Sequence, residues 1–231
     1  MKARLCVLGV MIALAAVLFA GDSWEEKLFT AWDQKECTSV LTKSPWAFSN
    51  SFGAAQNLGM IETGARGERE QTVTFRFRFL SAKPVRMAFT RLQLLKNPAG
   101  APPEAKIREQ VDAPADAQNR IAVQIEFTVD PPSSMEVRRI HNFLLNATLA
   151  TFRDSTKLSS SNKIVLAPLE YLSPNPTRSN GCLIFPRTNE KGESLFTGEE
   201  KWISFQAEIS GYKVYYRLKP EKMKFEEKFE L

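Results

Sequence analysis

The sharpest patterning in the chain lies in Gln71–Leu80, where Val73, Phe75, Phe77 and Phe79 alternate with Thr72, Thr74, Arg76 and Arg78. A period of two sends the aromatic side chains to one face and the polar ones to the other, so this run predicts a half-buried strand. Ile121–Val129 repeats the pattern, with Ile121, Val123, Ile125, Phe127 and Val129 in phase until Pro131-Pro132 stops it. Further strands are expected at Ile164–Leu172, Gly181–Phe185, Lys201–Ser210, Tyr212–Leu218 and Lys224–Leu231. Gly211, between two alternating runs, marks a tight hairpin.

Helical spacing appears elsewhere. Residues 24–43 read as an N-terminal helical region, with Thr30 and Asp33 approximating a capping pattern and Trp32, Cys37, Val40 and Leu41 recurring at helical intervals. Ser44-Pro45 ends it, because proline disfavours helix in the residue before it. Trp46 is expected to dock onto the body, and residues 49–70, rich in Gly, Ser, Asn and charge, read as a loop. Pro84 opens a short helix whose stripe is Val85, Ala88, Leu92 and Leu95. A helical stretch is expected at Pro103–Val111, inside the Pro- and Ala-rich connection 96–119. Ser133 followed by Glu136 is a capping box for a helix carrying Val137, Ile140 and Leu144. From Leu145 to Phe152 helix and strand patterns compete, and strand is preferred; a Ser-rich turn follows at 159–162. Long loops are expected at 49–70, 96–119 and 187–200.

Seven or eight strands, mostly adjacent in sequence and joined by short turns, favour antiparallel pairing. The expected fold is mainly β with added helices (α+β), an antiparallel β-sandwich or open barrel with the N-terminal helix packed on it. No internal repeat is visible.

The first twenty residues change the picture. Lys2 and Arg4 precede an uncharged apolar run from Leu5 to Ala20. A basic start followed by an apolar helix is the pattern of an export signal, and sixteen residues fall short of the roughly 20 that cross a bilayer core. Cleavage between Ala20 and Gly21 is expected, although Leu18 is bulky for its place. The alternative is an uncleaved signal anchoring the domain to the inner membrane. Cys6 lies too early to be a lipidated cysteine. Residues 21–231 then form a single β-rich globular domain, periplasmic or secreted, long enough for one sizeable core.

The chain carries a net charge of +5, which falls to +3 when Lys2 and Arg4 leave with the signal. So small and interspersed a charge predicts no nucleic-acid partner. Two cysteines remain, Cys37 and Cys182. In an oxidising compartment they could form one disulfide, stabilising the fold by roughly 4–5 kcal/mol in the chain-entropy picture. The alternative is that both are small buried hydrophobes.

Candidate chemistry is sparse. The chain has one histidine, His141, and no serine or cysteine sits in a nucleophile-elbow context. One His and two distant Cys give no zinc spacing, and no phosphate loop or dinucleotide fingerprint occurs, so no cofactor is expected. Glu126, Glu136, Glu170 and Glu208 could supply a carboxylate pair, but Glu126 and Glu208 fall on the outward phase of their strands. Arg76 and Arg78 beside Phe75 and Phe77 could stack single-stranded nucleic acid, but alternation sends the two residue types to opposite faces. The cations between Lys213 and Lys228 are interleaved with Glu221, Glu226 and Glu227 and followed by Glu230, as on a solvated strand face.

Several phrases occur together in order: L-T-K-S-P-W-A at 41–47, S-A-K-P-V-R at 81–86, I-F-P-R-T at 184–188 and the ending R-L-K-P-E-K-M-K-F-E-E-K-F-E-L at 217–231. In this the chain resembles a family of predicted exported bacterial proteins with no assigned activity. The resemblance implies export and a single domain, and transfers no catalytic residue. Two functions are therefore expected from different classes. One is an exported non-enzymatic module that binds a protein or envelope component. The other is a hydrolase of envelope or extracellular glycans using a carboxylate pair. Membrane contact is expected only if the signal is retained.

Overall fold

The two clean alternating runs become the middle of a five-stranded sheet. The computed structural model describes residues 24, 26–53, 71–100, 102–112, 119–132 and 134–231. The expected signal segment, with Ala20 and Gly21, and Ser133 of the expected capping box lie outside the described residues. Strand β2 (Thr72–Phe79) pairs antiparallel with β3 (Arg120–Asp130), placing Val73, Phe75 and Phe77 opposite Val129, Phe127 and Ile125. On its other side β2 pairs with β1 (Ala47–Gly53). Beyond β3 come β7 (Gly181–Pro186) and β6 (Glu170–Leu172), in the order β1-β2-β3-β7-β6, every pair antiparallel.

A second sheet of four strands, in the order β5 (Val165–Leu166), β4 (Lys157–Ser160), β8 (Ile203–Ile209) and β9 (Tyr212–Leu218), packs over the aromatic face. The β8–β9 turn is Ser210-Gly211, both at positive φ (52° and 86°), the geometry whose twist suits a two-residue hairpin. Its register puts Phe205 opposite Tyr216 and Ser204 opposite Arg217. Phe205 is the bolt between the sheets. Its ring lies 4.9 Å from Phe77, 5.6 Å from Phe48 and 6.5 Å from Phe185, and all four are buried. Burying one such side chain contributes about 2–3 kcal/mol.

The result is an α+β sandwich that is not closed. Edge strands β1 and β9 approach at one corner, where Phe48 stacks on Tyr216 at 4.4 Å and Asn50 Nδ2 donates to Tyr215 O at 3.4 Å. Among the described residues no backbone ladder joins them.

Helix α1 (Gln34–Lys43) buries Cys37, Val40 and Leu41 and ends at Ser44. Its cap is Asp33, not Thr30: Glu36 N donates to Asp33 Oδ1 at 2.7 Å and Asp33 N to Glu36 Oε2 at 2.9 Å. Two orphan amides are satisfied reciprocally, which fixes the start three residues later than the sequence pattern indicated. Trp24, Trp32 and Trp46 form an edge-to-face cluster beneath it, with centroids 5.9 and 6.0 Å from Trp24. Trp46 Nε1 donates to Glu230 O at 2.7 Å, docking this residue onto the body as expected. The C-terminal hairpin holding Glu230 consists of β10 (Lys224–Phe225) and β11 (Lys228–Phe229).

Helix α2 (Lys83–Lys96) packs on α1, followed by α3 (Glu104–Val111); α4 (Ser134–Asn146) and α5 (Leu149–Arg153) link the two sheets. Three expectations are corrected here. Residues 49–53, read as loop, belong to β1, because Phe48, Asn50 and Phe52 supply an inward phase hidden among small polar residues. Leu149–Arg153 is helix rather than strand, started by a Thr148/Thr151 capping box that buries Phe152. Ile164–Leu172 is not one strand: Ala167 and Pro168 break it, sending β5 and β6 to different sheets.

Candidate functional site

Each sheet turns one face inward and one outward, so functional side chains must come from the outward faces, the helices or the loops. On the five-stranded sheet, the register aligns Ala47, Arg78, Gln124, Cys182 and Leu172 in one outward row, and Ser49, Arg76 and Glu126 in the next. Arg78 is only 8% exposed. Its Nε donates to Leu41 O at 2.7 Å and its Nη1 to Gln124 Oε1 at 2.8 Å. Glu126 Oε2 lies 2.6 Å from the same Nη1 and 3.6 Å from Arg76 Nη1. Glu126 therefore bridges this pair of arginines and offsets one of their two charges, while Arg78 anchors the last turn of α1 to the sheet. At the far edge Arg120 pairs with Glu170 at 3.2 Å. Each of the three arginines named on this face has a carboxylate partner.

The four-stranded sheet differs. Its outward phase carries Lys157 and Ser159 from β4, Ser204, Gln206 and Glu208 from β8, and Lys213, Tyr215 and Arg217 from β9, with Trp202 just before β8. Arg217 lies 5.0 Å over the Trp202 ring, and its Nη2 donates to the Tyr215 hydroxyl at 3.4 Å. Such stacking holds a guanidinium in place without neutralising it. Tyr215 is 52% exposed. Lys157, Lys213 and Arg217 are all exposed, and among the described residues none forms an ion pair. Glu208, opposite Lys213 in the ladder, is the one carboxylate in this set.

The four acids singled out in the sequence stand on four elements: Glu126 on β3, Glu136 on α4, Glu170 on β6 and Glu208 on β8. Glu136 is held in a fork by Arg139, at 2.6 and 2.9 Å, and accepts from the Tyr212 hydroxyl at 2.6 Å. The Arg139 hydrogen bond, reinforced by that from Tyr212, holds the Glu136 carboxyl below the usual carboxylate range despite its partial burial. Arg139 Nη1 also donates to Ser210 O at 2.7 Å, so the cluster latches α4 onto the β8–β9 turn. A depressed acid locked to a cation is the opposite of the raised general acid that glycoside hydrolysis requires.

The thiols do not meet. Cys37 on α1 and Cys182 on β7 are both free and buried, so the bridge allowed by the sequence is not formed, and the small-hydrophobe alternative describes them. Cys37 faces the core, whereas Cys182 lies on the opposite, outward phase of its sheet, in the row of Arg78 and Gln124. Burial pushes both thiols up to about 11. His141 is exposed on α4. Of the three long loops expected, the one at 187–200 is described throughout, and it is built rather than slack. Asn189 Oδ1 accepts from the Lys191 and Glu193 amides, and buried Glu200 accepts from those of Thr197 and Gly198.

The Trp202–Arg217–Tyr215 row was missed in the sequence although its signal was present. A two-residue turn at Ser210-Gly211 fixes the ladder, and counting outward in steps of two collects these residues on one face.

No family model and no curated protein matches the chain. Among solved structures, it is similar to the crystal structure of a novel protein of unknown function from Burkholderia pseudomallei. That likeness has 10% sequence identity and a TM-score of 0.39, over 64% of this chain and 75% of that one. It is too distant to carry an argument.

Proposed function

We propose that this protein is an exported, non-catalytic binding module acting in the bacterial envelope or outside the cell, and that it meets its partner through the outward face of the four-stranded sheet. One observation carries the reading. Among the described residues, Lys157, Lys213 and Arg217 stand exposed without ion pairs beside a half-exposed Tyr215, whereas Arg76, Arg78 and Arg120 on the opposite sheet each have a carboxylate partner. A stacked guanidinium and exposed lysines next to an accessible aromatic ring are what an interaction surface offers. Export rests on the basic and apolar N-terminal segment, which a secretion apparatus would read and remove at Ala20-Gly21.

The carboxylate-pair hydrolase loses support for a physical reason. Glu126, Glu136 and Glu170 are each engaged by an arginine, and Glu208 lies exposed on the outer face of the other sheet.

Site-specific photocrosslinking in the producing bacterium tests the module. A photoreactive phenylalanine at Tyr215 should give envelope-fraction adducts, and one at Thr128, outward on the other sheet, should not. Equal adducts at both positions, or none at Tyr215, would remove the face from consideration.

A further inference from the structure

The four-stranded sheet also says what its partner is made of. We infer that the outward face binds a linear acidic glycan, a sugar chain bearing carboxylates. This deepens the binding-module reading and rests on it.

Charge is the first argument. Among the described residues on the outward phase of β4, β8 and β9, Lys157, Lys213 and Arg217 are accompanied by one carboxylate, Glu208. Two of the four acids that follow β9 in sequence turn elsewhere: Glu226 pairs with Lys83 at 2.9 Å, and Glu230 accepts from the Lys83 amide at 3.0 Å. A net positive strip therefore survives folding, although the sequence looks mixed. An anionic ligand complements it.

Spacing is the second. Lys213 and Arg217 are four residues apart on one strand, roughly 13 Å at ~3.3 Å per residue, and Lys157 stands two strands from Tyr215, roughly 10 Å at ~4.8 Å per strand. Cations so far apart do not converge on one small anion. They suit a polymer whose charges recur along its length.

Surface chemistry is the third. Between the cations lie the Tyr215 ring and, in their neighbourhood, Gln206 and Ser159, a hydrogen-bonding amide and hydroxyl. A sugar ring offers an apolar C–H face to an aromatic ring and hydroxyls to an amide. An acidic peptide would satisfy the cations and leave the tyrosine face and the amide unused. A second copy of the chain is disfavoured too. Antiparallel pairing of two β9 edges about Tyr215 would set Lys213 opposite Arg217, and like charges directly opposite destabilise.

The test is calorimetric titration of the purified full gene product, at low salt, with an octagalacturonate, a neutral chito-oligosaccharide and a polyglutamate peptide of matched charge. The octagalacturonate should bind saturably and weaken as salt rises, and the neutral sugar should not bind. A Lys213→Glu/Arg217→Glu variant should lose at least about tenfold in affinity, and Arg120→Glu, on the other sheet, should lose none. Tyr215→Ala should weaken octagalacturonate about fivefold and leave polyglutamate unchanged, while Tyr215→Phe, which keeps the ring, restores binding. Thermal melts confirm that each variant is folded. No binding of octagalacturonate, or equal binding of polyglutamate with neither ligand sensitive to Tyr215→Ala, overturns the glycan. Envelope polypeptides crosslinked at Tyr215 without glycan affinity would keep the module and remove this ligand. Glycan affinity without crosslinks in the cell would count against the module instead.

Discussion

Arg78 is the sharpest test of how the five-stranded sheet is held together. Replacing it with methionine keeps most of the aliphatic volume and removes the guanidinium. Three interactions vanish: the bond to Leu41 O at 2.7 Å, that to Gln124 Oε1 at 2.8 Å, and the ion pair with Glu126 at 2.6 Å. Hydrogen bonds to a charged group contribute about 1.5–3 kcal/mol each, and breaking one side of a buried pair costs about 3–5 kcal/mol. The Glu126 side chain is 29% exposed and keeps Arg76 at 3.6 Å, so water and the second arginine recover part of this. The expected loss is about 3 kcal/mol, or roughly 6–12 °C in melting temperature for a domain of this size. Glu126→Gln alone should cost about 1 kcal/mol. The double variant should be more stable than the sum of the two losses predicts, by about 1–2 kcal/mol of coupling. Urea unfolding followed by tryptophan fluorescence measures all four corners, because Trp24, Trp32 and Trp46 are buried beside α1. A loss below 1 kcal/mol for Arg78→Met, or strictly additive effects, would refute the clasp and leave Arg78 an ordinary surface cation.

Other expectations follow from the same contacts. Phe205→Ala removes the ring shared by Phe48, Phe77 and Phe185 and should cost about 3–5 kcal/mol in thermal or urea unfolding. Cys37 and Cys182 should resist a thiol reagent at pH 8 in the native protein and react fully after unfolding, because burial holds them protonated; rapid native labelling would contradict their placement. Their folded values, up to about 11 against an ordinary 9.0, mean that the native state keeps its protons longer than the unfolded chain. Stability should therefore decline between about pH 9 and 11, and Cys37→Ala/Cys182→Ala should flatten that limb in a pH series of urea midpoints. Glu136 has the opposite sign: its depressed value gives stability that is complete above the unfolded carboxylate range and lost as the pH falls through the lower folded value. Glu136→Gln should remove that acid-side contribution.

Much of the fold can be read in the chain because strong alternation leaves little choice. In β2 and β3 every second residue is large and apolar, and a one-residue slip would expose four or five of them. β1 was hidden because A-F-S-N-S-F-G has two aromatics among five small or polar residues, and its strand state comes from pairing with β2 rather than from its own composition. α5 was read as strand because a five-residue helix shows little more than one period, and its deciding signal, Thr148 with Thr151, is a local cap rather than a hydrophobic pattern. The candidate site was partly legible. The outward phases of Glu126 and Glu208 followed from alternation, but which cations keep an acidic neighbour depends on where the C-terminal hairpin turns. Glu226 and Glu230 look like neighbours of Lys213 and Arg217 in sequence and are placed beside Lys83 by the fold. The status of Cys37 and Cys182 was equally a matter of tertiary placement, since spacing alone permitted either a bridge or two buried thiols.

Export of this sandwich from the cytosol is tested directly by the intact mass of the protein recovered from separated cell fractions. The mass should correspond to a chain beginning at Gly21, found in the periplasmic or extracellular fraction. A chain still carrying Met1 and dissolved in the cytosolic fraction would contradict it.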